Sequence, residues 1–263
     1  MIRQQKGATL IMVLMILLMV TIVGVLAIRV ALTSLSISTN SQIGQLLLQS
    51  SDTPLNQFTK TDLSTAVNLS NVLGAALQES EANPGAEYIF CYKPTSTQAY
   101  GATIYSSVIQ AGTDNAATLV DGGTRGFCNL TSDFGSSRQA VVTQVAVTIP
   151  TTNTTGAAPG AYLGRGTNLS LGAGIPKNLV SQQRIRVTST AILPAYGNSS
   201  ASTVQDNCLG GAPATGIRIS DNTEPATAGK QTLNECIKSY GMPVNTQVQE
   251  FSLVTSLDQT TAP

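Results

Sequence analysis

Four cysteines, Cys91, Cys128, Cys208 and Cys236, are the side chains best suited to covalent chemistry. None sits in a CxxC pair, so nothing in their spacing favours zinc or thioredoxin-like redox chemistry. An even number in a chain that opens on an export-type apolar segment points to disulfides instead. Four cysteines allow three connectivities. We favour the sequential one, Cys91 with Cys128 and Cys208 with Cys236, over the crossed schemes. Each bridge would stabilise the fold by about 2–4 kcal/mol through the unfolded chain.

Other reactive constellations are thin. The chain has no His, the usual general base and metal ligand near neutral pH. Serines are abundant, but no GxSxG elbow accompanies them. Gly164-Arg-Gly166 and Gly172-Ala-Gly174 complete neither a Walker A nor a GxGxxG pattern. Asp221-Asn-Thr-Glu224 and Asp114-Asn115 could offer oxygen ligands, but turn formation explains both more simply than calcium. Asn129-Leu-Thr131 is one of several Asn-x-Ser/Thr sequons expected by chance. The expectation is a protein that is not an enzyme and needs no metal or cofactor.

Charge narrows the partners. Fourteen basic and fourteen acidic residues cancel. A neutral chain lacks the basic face that displaces counterions from phosphate, so nucleic acid is not its primary partner. Only 11% of residues are charged, against roughly 25% in average soluble domains. Ser, Thr, Asn and Gln must supply the polar surface, as suits an exported, assembly-prone protein.

The most informative residues are the first thirty. Met1-Ile-Arg-Gln-Gln-Lys-Gly7 is a short basic leader, and residues 8–28 then carry no charge. This run is long enough to cross a bilayer core of about 30 Å as a helix. Arg3 and Lys6 precede it and hold the N-terminus in the cytoplasm by the positive-inside rule. An ordinary signal peptide would be shorter and end at a small-residue cleavage site. A plain membrane anchor is a second alternative. A third reading fits the Gly that directly abuts the apolar run.

Lys6-Gly7-Ala8-Thr9-Leu10-Ile11 resembles the class III signal of prepilins. That resemblance implies cleavage by prepilin peptidase between Gly7 and Ala8, with methylation of the new amino group of Ala8. Most pilins carry a glutamate as the fifth mature residue, whereas this chain has Met12 there. The family's proline in the outer part of the helix is also missing. Loss of the glutamate resembles tip pseudopilins and PilX-type minor pilins, so Met12 marks subunit position. A carboxylate in an apolar filament core is costly unless paired with a neighbour's amino terminus. A subunit with no neighbour ahead of it has no such pair to make. Leu48-Gln-Ser-Ser-Asp-Thr-Pro-Leu55 is also similar to a stretch of PilX-type minor pilins.

The elements behind these residues follow from periodicity. Leu32, Leu35, Ile43, Leu46 and Leu47 continue the apolar run at helical spacing, predicting one helix over residues 8–51. Pro54 is expected to bend the chain, with Asp52 or Thr53 capping a new turn. A second helix is expected at about 61–80, its face formed by Leu63, Ala66, Val67, Leu73 and Leu77, and ended by Asn83-Pro-Gly85. Residues 88–92, 140–149, 183–193 and 244–257 read as strands, and 201–205 as a strand returning after a Gly197-Asn198 turn. Residues 101–126 and 151–175 read as loops. The fold class is α+β: a long transmembrane and amphipathic N-terminal helix packed on an antiparallel head of about four or five strands, an arrangement that resembles pilins.

The expected organisation is a leader at 1–7, the helix at 8–51 with 8–28 in membrane or filament core, and a globular head at 52–263. The resemblance implies a minor pilin that primes type IV pilus assembly and sits at or near the tip, supporting pilus biogenesis, adhesion or twitching. It implies prepilin peptidase, other minor pilins, the major pilin, an inner-membrane assembly platform and a large tip adhesin as partners. The chain would sit first in the bacterial inner membrane as a single-pass protein and then in an extracellular pilus. Alternatives are a tip pseudopilin of a type II secretion system and a membrane-anchored periplasmic scaffold protein.

Overall fold

The computed structural model describes residues 8–62, 66–96, 101–151, 180–210 and 216–256. Contacts divide the chain into two compact units, Met1–Leu46 and Leu47–Pro263. Helix α1 covers Ala8–Lys60. The helix therefore passes Ser51 and continues through Pro54, which corrects the expected bend. A proline inside a helix costs about 3 kcal/mol, and packing further along the helix offsets it. Beyond the proline, Leu55 and Phe58 are buried in the head core, so tertiary packing extends the helix.

The second helix, α2, is Val72–Glu79, so among the described residues it begins later than the expected 61. Leu63 lies outside the described residues. The Asn83-Pro-Gly85 turn does follow, with Gly85 at φ +74°. Among the described residues, six strands then form one antiparallel sheet. They are β1 Glu87–Tyr92, β2 Ser107–Ala111, β3 Ala117–Asp121, β4 Val142–Thr148, β5 Val180–Ile192 and β6 Val244–Ser256. Their order is β3-β2-β1-β4-β5-β6, so β3 and β6 are the edges among the described residues. Two expectations change here. Residues 101–126 contain β2 and β3 rather than loop alone, and residues 201–208 form a helix, α3 (Ala201–Cys208), rather than a strand. Ser200 caps α3 by accepting from the Thr203 N–H at 3.2 Å. A further helix, α4 (Leu233–Ser239), has no counterpart among the sequence expectations. The loop expected at 151–175 falls, beyond Thr151, outside the described residues.

Both faces of the sheet are covered. On the first, Tyr88, Phe90, Val145, Val147, Ile185 and Val187 pack with Leu55, Phe58, Val72 and Leu73 of α1 and α2. On the second, Ile89, Ile109 and Ala146 meet Phe127, Ile217 and Ile219, while Val142 and Ile192 meet Leu209, Leu233 and Ile237. This explains why β4 is buried along its whole length and does not alternate between core and solvent.

Candidate functional site

The N-terminal unit has the chemistry of an assembly segment. Its helix begins at Ala8 and has no acidic residue in its first turn. Gly7 lies outside the described residues; Ala8 opens α1 and Met12 follows one turn later, 69% exposed. Every large apolar side chain at residues 10–37 is more than half exposed. Leaving one such side chain in water costs about 1.5–3 kcal/mol relative to burying it, so the run as a whole amounts to tens of kcal/mol. A helix apolar on all sides needs lipid or other helices around it. The span is also long and apolar enough to cross a membrane. Its hydroxyls do not spoil this. Thr21 donates to the Leu18 carbonyl at 2.8 Å, Thr33 to Arg29 at 2.9 Å and Thr39 to Leu35 at 2.9 Å. Each of these three hydroxyls is satisfied within the helix, as an apolar medium demands.

The last turns of α1 belong to the head. Leu47, Ser51, Pro54, Leu55 and Phe58 are buried at helical spacing. The Phe58 ring packs on Phe251 of β6 with centroids 4.3 Å apart. Asn245 and Gln247 of β6 donate to Ser51 Oγ at 2.8 Å and to the Leu48 carbonyl at 3.3 Å. The final strand thus clamps the helix at the end of the apolar segment.

Two disulfides and an ion cluster hold the second face. Cys91 bonds to Cys128 and Cys208 to Cys236, and none of the four is free. The first ties β1 to the segment after β3, and the second ties α3 to α4. A capping box fixes the start of α4. Thr232 Oγ1 accepts from the Glu235 N–H, and the Glu235 carboxylate accepts from the Thr232 N–H.

Arg186 of β5 is buried among carboxylates. Its Nη2 lies 2.6 Å from Glu250 and 2.8 Å from Glu224, and Nη1 is 3.5 Å from Asp221. Asp221 and Glu224, considered above as cation ligands, therefore hold an arginine. Thr188 donates to Asp221 and Thr151 to Glu224, at 2.8 and 2.9 Å. Burial would lower the Arg186 pKa, but Glu250, Asp221 and Glu224 outweigh it and hold the guanidinium above its ordinary value. For Glu224, burial works against ionisation, while Thr151 and Arg186 prevail and lower its pKa. Glu87 of β1 has the opposite fate. Desolvation first, then the nearby Asp221 charge, push its pKa up to about 8, against a Ser220 N–H bond of 2.8 Å and the more distant Arg186. Glu87 therefore enters the fold as a neutral acid at pH 7.

The remaining candidates are structural where they are described. Asn129 Oδ1 accepts from the Thr131 N–H at 2.8 Å in an Asx turn. The Asp114 carbonyl and Asn115 Oδ1 accept from Lys230 Nζ and the Gln231 N–H, pinning the β2–β3 turn to the C-terminal segment. Gly164-Arg-Gly166 and Gly172-Ala-Gly174 lie outside the described residues. The Arg186 cluster joins residues from β1, β5, β6 and the segment before α4. In the sequence its only signals are charged residues at 184 and 186 on an otherwise uncharged strand.

Residues 6–56 match the PilX N-terminal family model. No curated protein and no solved structure matches the chain. The matched segment contains the apolar run, Met12 and the turns of α1 through Leu55. That family is structural rather than catalytic and works with other pilus components. Residues 6–56, a minor part of the chain, are thus similar to the N-terminal segment of PilX-type type IV pilins.

Proposed function

We propose that the chain is a minor pilin that primes type IV pilus assembly and sits at or near the filament tip. The observation that carries this is the family match over residues 6–56 in a segment with Met12 at the fifth position after Gly7. Prepilin peptidase hydrolyses the Gly7–Ala8 peptide, and the freed Ala8 amine is methylated. Without a carboxylate at position 12, the subunit makes no core ion pair with a neighbour ahead of it. It starts a filament rather than extending one, alongside other minor pilins, the major pilin, the assembly platform and a large adhesin.

Replacing Gly7 with valine tests processing: the uncleaved chain should stay in the inner membrane, and normal maturation would overturn the prepilin reading. Immunogold labelling tests position. Label should fall at filament ends, and even decoration of the shaft would overturn the tip placement. Met12 equally favours a tip pseudopilin of a type II secretion filament, which predicts a loss of secretion without a loss of surface pili on deletion.

A further inference from the structure

The strand β6 is an edge with thirteen residues in unbroken register against β5, from Val180↔Ser256 to Ile192↔Val244. Among the described residues no strand lies on its other side. At about 3.4 Å per residue this leaves some 44 Å of backbone without a strand partner among the described residues. Edges of this length are normally guarded by Lys, Pro, a bulge or an inward charge. Here β6 has no Lys, Arg, Pro or Gly. Its single charge, Glu250, is turned to Arg186. The opposite edge, β3, is five residues long, pairs through an irregular register and ends in Asp121.

Apolar side chains flank the β6 edge on both faces. Val248, on the second face with Thr246 and Glu250, is 43% exposed, and Leu48 of α1, over the first face, is 54% exposed. A strand added at β6 would cover both while satisfying the outward N–H and C=O groups.

We propose that β6 is a docking edge, and that its occupant is an extended, uncharged strand from a neighbouring filament subunit of a different sequence. A second copy fits less well. Pairing β6 with itself is a two-fold contact that closes on two chains. Pairing with a copy's other edge would offer only the five residues of β3. The inference rests on the proposed place of the chain in a filament.

Val248→Pro and Gln249→Pro, made singly in the full-length chain, test it. Along an antiparallel strand successive N–H groups point to opposite sides, so one of the two variants removes a bond to β5 and the other a donor on the open edge. The open-edge variant should melt as the wild type does, yet its recovery in sheared filaments should fall at least ten-fold. Undiminished recovery would overturn the proposal. Hydrogen exchange supplies a second reading should either variant misfold. The outward β6 amides of the wild type should exchange freely in the detergent-solubilised monomer and slow at least ten-fold in filaments. Protection already present in the monomer would mean that the chain covers its own edge, and concentration-dependent dimerisation abolished by the open-edge proline would make the occupant a second copy; either result overturns the proposal. Absence of the wild-type chain from filaments would overturn the pilin reading as well, which separates the two failures.

Discussion

Asn245, the second residue of β6, donates its side-chain amide to Ser51 Oγ of α1 at 2.8 Å, across 194 positions of sequence. Ser51 is fully buried and itself donates to the Leu48 carbonyl at 3.0 Å. A buried hydroxyl in this position is therefore fully used. It fixes the last matched turns of α1 onto the final strand, which lies outside the match.

Ser51→Ala leaves the Asn245 amide without its acceptor. Removing one partner of a buried hydrogen bond costs roughly 1–3 kcal/mol. Chemical denaturation of the purified chain should show a loss of that size, and Ser51→Ala with Asn245→Leu should recover part of it. An unchanged midpoint for Ser51→Ala would contradict the clamp.

Glu87 gives the head an unusual pH profile. Its pKa rises from an ordinary 4.5 to about 8 in the folded state. The folded chain therefore holds this proton more tightly than the unfolded chain. Its contribution is complete below about pH 4.5 and is lost as pH rises to about 8, by a few kcal/mol at roughly 1.4 kcal/mol for each pH unit crossed. Glu224 acts with the opposite sign. Its folded pKa is lowered, so its contribution is present above its unfolded pKa and is lost as pH falls through the folded one. Melting temperature should fall from pH 5 to pH 8 in the wild type, and Glu87→Gln should flatten that slope. A wild-type profile that rises over this range would refute the buried neutral acid.

The disulfides close loops with sequence separations of 37 and 28 residues. Chain entropy gives each about 3–4 kcal/mol. Replacing both members of either pair with serine should lower the unfolding free energy by roughly 2–4 kcal/mol, and alkylation of the unreduced chain should find no free thiol. Ready alkylation without reductant would contradict the pairing.

The sequence revealed the elements whose residues repeat one strong pattern. The apolar run predicts α1, and the segments 140–149, 183–193 and 244–257, bounded by turn-forming residues, mark β4, β5 and β6. Pro54 misleads because its local cost is met by burial of Leu55 and Phe58 against strands far away in sequence. Strands β2 and β3 are short and lie among Thr, Gly and Asn; partners supplied by β1 and by Lys230 make them strands. Helix α4 was legible in principle, since Thr232-Leu-Asn-Glu235 carries a capping-box pattern. The Arg186 cluster was not, because a buried charge network depends on which loops fold back over the sheet. At the N-terminus the reading of Lys6-Gly7-Ala8 and Met12 rests on the sequence alone, since Lys6 and Gly7 lie outside the described residues.

The central claim is that this chain is a prepilin, and the mature N-terminus tests it most directly. Intact-mass and peptide mass spectrometry on the chain from its native membrane should find Ala8 as the first residue, carrying one methyl group. A chain that still begins at Met1, or one cut beyond the apolar helix, would contradict it.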